Sequence, residues 1–260
     1  MAALASALPF STSSILALQS DAIWLHDQIG APRSKAISSG YRALDQQLPH
    51  GGWPPSVLTE LLLAHPDIGE LRLLASTLTH ITQTGKTVVV LAPAHLAIAT
   101  SLGEYGIDMS KVTLIEADKP ADKIWAVEQA LKSASFGALL CWLPQARDDH
   151  LRRLHLAAAG TQGWTFLFRP LDAQDQASPA PLRMLCKPLA IGRLSVEIIK
   201  RRGPVHVEPI ILPLEIPEIL LKPLATRVLG RPVFNAPSYS VNRSALAATA
   251  ARHRAKLLSQ

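Results

Sequence analysis

The stretch VLTELLL (57–63), followed by AHPDIGEL (64–71) and an apolar-periodic run to Ile81, decides the architecture of this chain. The first seven residues form a short apolar run that reads as a strand. From Ile68 to Ile81, Leu71, Leu74 and Leu78 recur at helical spacing, and Gly85 closes the helix. The same unit then repeats downstream. TVVVLA (87–92), a helix over about 94–105, VTLIEA (112–117), a helix over 120–133, ALLCWL (138–143), a helix over 147–159 and WTFLF (164–168) alternate without interruption. Such alternation specifies an α/β fold with a mainly parallel sheet flanked by helices. After Arg169 the rhythm changes: PLRMLCK (181–187) and RLSVEIIKRR (193–202) have no helix between them and predict a C-terminal β-hairpin that extends the sheet.

Outside this core the pattern weakens. Residues 1–34 form an N-terminal extension with a poorly phased helix over 12–29, 35–203 the core domain, and 204–260 a Pro-rich basic tail. Seven prolines between 204 and 237 predict extended, aperiodic chain there, and Ser244 to Leu258 reads as an Ala-rich basic helix. Hydrophobic residues at 48% and charged ones at 18% exclude wholesale disorder. The net charge of +6 is uneven: residues 1–192 hold 15 Lys/Arg against 16 Asp/Glu, and residues 193–260 hold 11 against 4. A polyanion or an acidic protein surface is therefore drawn to the C-terminal end, unless the charge only solubilises it. Cys141 and Cys186 stand far apart in apolar surroundings and read as reduced, buried thiols. The apolar N-terminus lacks a positive leader and is broken by Pro9 and serines, so a cytoplasmic address is expected.

Gly85-Lys86-Thr87 resembles the end of a phosphate-binding loop, but it follows a helix and precedes a strand, the reverse of the required context. A helix C-cap explains it. The proper place for such a loop is between VLTELLL and the next helix: Ala64, His65, Pro66, Asp67, Ile68, Gly69, Glu70 and Leu71. Just upstream, Ile37-Ser38-Ser39-Gly40, Leu44-Asp45, Leu48, Gly51-Gly52 and Pro54 resemble the approach to the first strand in RecA-type recombinases. That resemblance implies a RecA-like P-loop fold, with Gly69 retained but Glu70 at the lysine position and Leu71 at the threonine position. A carboxylate there repels a triphosphate; at an effective dielectric of ~20, unit charges ~4 Å apart differ by several kcal/mol between the two signs. The resemblance also places the metal-side acid near Trp142 and the catalytic glutamate near Ala94, beside His95. With lysine, acid and base all replaced, the expectation is a degenerate ATP site with no catalysis, cofactor or metal. His65 and His95 have no partner at metal-ligand spacing.

Within that superfamily IGELRLL (68–74), VVVLAPAHLA (88–97), residues 125–144, LRRLHLAA (151–158), FLFRP (166–170), SPAPLR (178–183) and VEIIKRRG (196–203) resemble the ImuA family of damage-induced mutagenesis. The resemblance implies an accessory protein of translesion DNA synthesis that joins an ImuB-like polymerase to an error-prone C-family polymerase, with RecA as a further contact. Self-association and weak DNA binding are left open. Lys200, Arg201 and Arg202 match basic residues that RecA-type subunits present across their interface, and could grip a partner, DNA backbone or nothing specific. Arg147, Arg152, Arg153 and Arg169 are the other basic candidates, with helix-surface or salt-bridge roles as their alternative; the loops 144–149 and 170–180 are short, and the second holds Asp172 and Asp175 with no Lys or Arg, against a RecA-style grip on single strands. The alternative is a division inhibitor of the SulA type, similar from about Leu58 to Leu143, which binds the tubulin-like division protein. An unorthodox ATPase is the second alternative.

Overall fold

The computed structural model describes residues 35–66, 69–93, 102–190, 192–203 and 208–214. The helices expected over 12–29 and 244–258 lie outside these residues, as do Asp67, Ile68, Ala94 and His95. The described elements run α1 (Arg42–Asp45), β1 (Leu58–Leu63), α2 (Glu70–Gln83), β2 (Val88–Leu91), β3 (Val112–Ile115), α3 (Pro120–Ser133), β4 (Ala138–Trp142), α4 (Asp148–Ala159), β5 (Trp164–Pro170), β6 (Leu182–Ala190), β7 (Arg193–Lys200) and β8 (Ile210–Pro213). They build one eight-stranded sheet in the order β3-β2-β4-β5-β1-β6-β7-β8. Strands β1 to β6 pair in parallel, and β6, β7 and β8 follow as an antiparallel meander.

Strand alternation divides the core. Leu61 and Leu63 join Phe166, Phe168, Leu140 and Met184 on the face that α2 covers with Leu71, Leu74, Leu78 and Ile81. Leu58, Leu139, Cys141 and Leu167 face the opposite way, toward Ile124, Val127 and Leu131 of α3 and Leu151, Leu154 and Ala158 of α4. Helices on both faces explain why β1, β4 and β5 are apolar at nearly every position.

The segment before β1 is a brace for α2. Asp45 accepts hydrogen bonds from the Ser39 amide at 2.8 Å and the Ser38 hydroxyl at 2.5 Å, so ISSG and Leu44-Asp45 close a turn on themselves. Thr77 of α2 donates to the Ser38 carbonyl at 2.9 Å, and the Tyr41 hydroxyl donates to the Arg72 carbonyl at 3.2 Å. Ile37 and Trp53 then bridge their backbones, placing the Trp53 indole edge-on to Phe166 at 5.3 Å.

Gly85 behaves as a helix terminator. Its φ is 80°, its amide donates to the Thr82 carbonyl at 2.9 Å, and the Lys86 amide donates to Ile81 at 3.3 Å, which together form a Schellman motif. The Lys86 ammonium lies 5.7 Å from the centre of the Trp164 ring. Two expectations need correction. Residues 102–105 form a 3-10 turn rather than the end of an α-helix. In the Pro-rich stretch, Ile210–Pro213 forms β8 and so extends the sheet past residue 203. Alternating burial over these four residues is a strand pattern, too short to stand out among the prolines that flank it.

Candidate functional site

The loop after β1 leads into α2 at the carboxyl end of the parallel strands, where open α/β sheets bind ligands. Ala64, His65 and Pro66 are exposed, and the His65 ring meets the Pro66 carbonyl at 2.9 Å. Gly69 has φ 119°, a conformation costly for any residue with a side chain. A Cβ there would also fall 2.5 Å from Leu214 Cδ1, at the end of β8. Leu214 is held by its amide, which donates to the Gly192 carbonyl at 2.7 Å. The meander thus closes over the start of α2.

Glu70, the first residue of α2, is 1% exposed, and its Oε2 accepts from the Gly69 amide at 3.2 Å. The free amides and partial positive charge of a helix N-terminus are what a phosphate would use. Here the chain supplies its own anion. The Leu71 side chain is buried in the α2 core and offers no oxygen. Below, burial pushes the Cys186 thiol up to about 12, with the Glu70 carboxylate adding to the effect, so Cys186 is an inert thiol. Cys141, fully buried, is likewise raised to about 12. Trp142 ends β4 stacked on Phe168, ring centres 4.3 Å apart, with a buried indole where the sequence resemblance sought an acid.

Sequence reasoning missed a second feature. Glu60, in the middle of β1, is fully buried and takes Arg169 Nη1 of β5 at 2.7 Å on one oxygen and Arg183 Nε of β6 on the other. Arg169 also donates to the Ala146 carbonyl at 3.0 Å and to Gln176 Oε1 at 2.6 Å. Arg183 donates to the Ala173 carbonyl at 2.7 Å and to that of Gln174 at 3.3 Å. One carboxylate thereby pins the loop after β4 and the loop after β5 to the central strand. Arg169, taken from sequence as a surface contact, is turned inward and leaves the set of basic contacts; both terminal guanidinium nitrogens are occupied by protein groups. The available signal was a charge in each of three otherwise apolar strands, LTELLL, FLFRP and PLRML.

The other basic candidates separate. Arg153 pairs with Glu128 of α3 at 3.1 Å, while Arg152 is exposed beside the loop 144–149. Lys200 donates to the Ser178 carbonyl at 2.6 Å, and Arg201 reaches the Gln47 carbonyl. Arg202 is exposed at the end of β7. Partial burial, and then the charges of Arg202 and Lys200, hold the His155 imidazole below its ordinary range. Three cationic side chains of β7 and its continuation therefore sit at one rim of the sheet. Among the described residues no cluster of His, Cys, Asp or Glu is arranged to hold a metal ion, and no helix is long and apolar enough to cross a membrane.

The fold and this loop define an α/β sheet protein whose anion-binding helix end is filled by its own side chains. Residues 57–166 match the sequence profile of the family described as "Cell division inhibitor SulA". The chain is 26% identical over 130 residues to the cell division inhibitor SulA of Yersinia enterocolitica, covering 49% of this chain and 77% of that one. Against SulA of Yersinia pestis, identity is 28% over 101 residues, 39% of this chain and 60% of the relative. The SulA of Yersinia pseudotuberculosis gives the same values. These matches overturn the reading as a mutagenesis accessory of the ImuA kind. Of the segments that carried that reading, 68–74, 88–97, 125–144 and 151–158 fall inside the stretch that the SulA profile matches, and so did not discriminate.

Proposed function

We propose that this chain is a non-catalytic binding protein of the cell-division-inhibitor kind, and that its target is the tubulin-like division GTPase. The observation that carries the reading is the match of 57–166 to the SulA profile, which spans β1 to the first half of β5 and includes α2, α3 and α4. The chemistry agrees with it. Glu70 fills the place where a nucleotide loop needs a cation, and Leu71 and Trp142 stand where metal-side oxygens would be required. A central β1 followed by a loop and helix, together with the ISSG approach, supports descent from the RecA-type P-loop fold. The cationic rim at Lys200 and Arg202 would raise the encounter rate with an acidic partner. A cytoplasmic, damage-response setting follows from the same reading.

The test is GTP-dependent assembly of the division protein, followed by light scattering and by sedimentation. Added at equimolar ratio, the purified chain is expected to abolish polymer and to co-fractionate with the unassembled GTPase. Unchanged assembly with no co-fractionation refutes the proposal.

A further inference from the structure

Helices α3 and α4 begin side by side at the carboxyl end of the sheet, and the space between their first turns is a groove of about 360 Å³. Its floor is apolar: Ile124, Leu143 and Ala146, each at least nine-tenths buried. The charged or titratable side chains in its lining are Lys123, Arg147 and His150. Both helices present their N-terminal, partially positive ends there.

The acids nearby stand outside the lining, in the first turns of the two helices: Asp122 on α3, and Asp148 and Asp149 on α4. Asp149 meets Arg147 at 3.4 Å and His150 at 3.8 Å, but both Arg147 and Asp149 are largely exposed. An exposed pair of this kind is screened by water and weak, so an incoming carboxylate can exchange for it. The second observation is Trp125, 53% exposed on α3. A helical side chain covers the turn before its own Cα, which for Trp125 is the turn of Ala121 and Asp122, and Ala121 lines the groove. Exposed tryptophan beside an apolar pocket is the composition of a binding hot spot.

We propose that this groove receives an acidic segment of the protein partner: an apolar side chain enters over Ile124 and Leu143, flanking carboxylates meet Lys123 and Arg147, and Trp125 packs against the segment's side. The inference rests on the reading that the chain acts by binding a protein. Charge complementarity within the lining selects the occupant, since Lys123 and Arg147 stand in it whereas Asp122, Asp148 and Asp149 stand outside it.

Full-length wild type, Trp125→Ala, the double variant Lys123→Glu with Arg147→Glu, and a control with Lys187→Glu and Arg193→Glu on the distant hairpin would be compared. Each is titrated with the division GTPase, and separately with a short fluorescein-labelled peptide of two central leucines flanked by aspartates. The expected result is at least ~10-fold weaker binding of both probes by the two groove variants, with the control unchanged. Circular dichroism and melting confirm that the exposed substitutions leave the fold intact. GTPase binding that is equal in all variants overturns the groove but leaves the function standing. Peptide binding lost in the groove variants, with no GTPase binding by wild type, keeps the groove and removes the GTPase as target. Failure of wild type with both probes overturns both.

Discussion

Glu60→Ala is expected to lower the unfolding free energy by about 3–5 kcal/mol, because it leaves two guanidinium groups in the interior without their counter-charge. Arg169 and Arg183 are 3% and 6% exposed, so neither reaches water without dragging its strand or loop outward. At roughly 2–4 °C per kcal/mol for a domain of this size, melting should fall by about 6–20 °C. The loops at Ala146 and at Ala173 to Gln176 should lose hydrogen-exchange protection with it, since the two arginines hold their carbonyls and the Gln176 side chain. Chemical denaturation followed by circular dichroism measures the loss. A loss under ~1 kcal/mol would mean that water reaches the arginines and that the triad does not organise these loops.

Trp53→Ala is expected to cost about 3–5 kcal/mol by opening a cavity between the segment before β1 and the sheet. Trp53 is fully buried against Phe166, and its carbonyl accepts the Trp164 indole N–H at 2.9 Å. The backbone bridge to Ile37 depends on the same packing. Loosening it should free the Ser38 carbonyl from Thr77 and so loosen α2. Trp53→Phe, which keeps an aromatic ring, should recover most of the loss. Equal melting of wild type and Trp53→Ala would show that the segment 35–53 is not part of the cooperative unit.

Much of this fold is written in its periodicity. The continuous apolar run WTFLF of β5 announces a strand covered on both faces, and the switch from βα repeats to PLRMLCK and RLSVEIIKRR announces the antiparallel hairpin. β8 escaped because the four residues Ile210–Pro213, one of them a proline and preceded by Pro209, carry too little pattern against a Pro-rich background. At the candidate site, the sign of Glu70 was legible from its place after a strand. What was hidden is that its carboxylate turns back to its own helix end and that Leu214, far away in sequence, closes over Gly69. Such contacts depend on tertiary approach, which no local spacing records.

Arg169 illustrates the opposite error. Arginines are mostly exposed, so a surface role was the default, yet the Phe-Leu-Phe that precedes it already marked an interior strand. The functional misreading had a similar source. Four of the seven segments that suggested a mutagenesis accessory lie between the entry to α2 and the end of α4, where the SulA profile also matches. Residues that make a shared core report the fold before they report the partner.

Calorimetric titration of the purified chain with ATP and Mg²⁺ tests the closed loop most directly. With the Glu70 carboxylate on the Gly69 amide and Leu214 packed above it, no binding heat is expected at any nucleotide concentration up to the millimolar range. A micromolar dissociation constant, with triphosphate protecting the start of α2 from hydrogen exchange, would contradict the account.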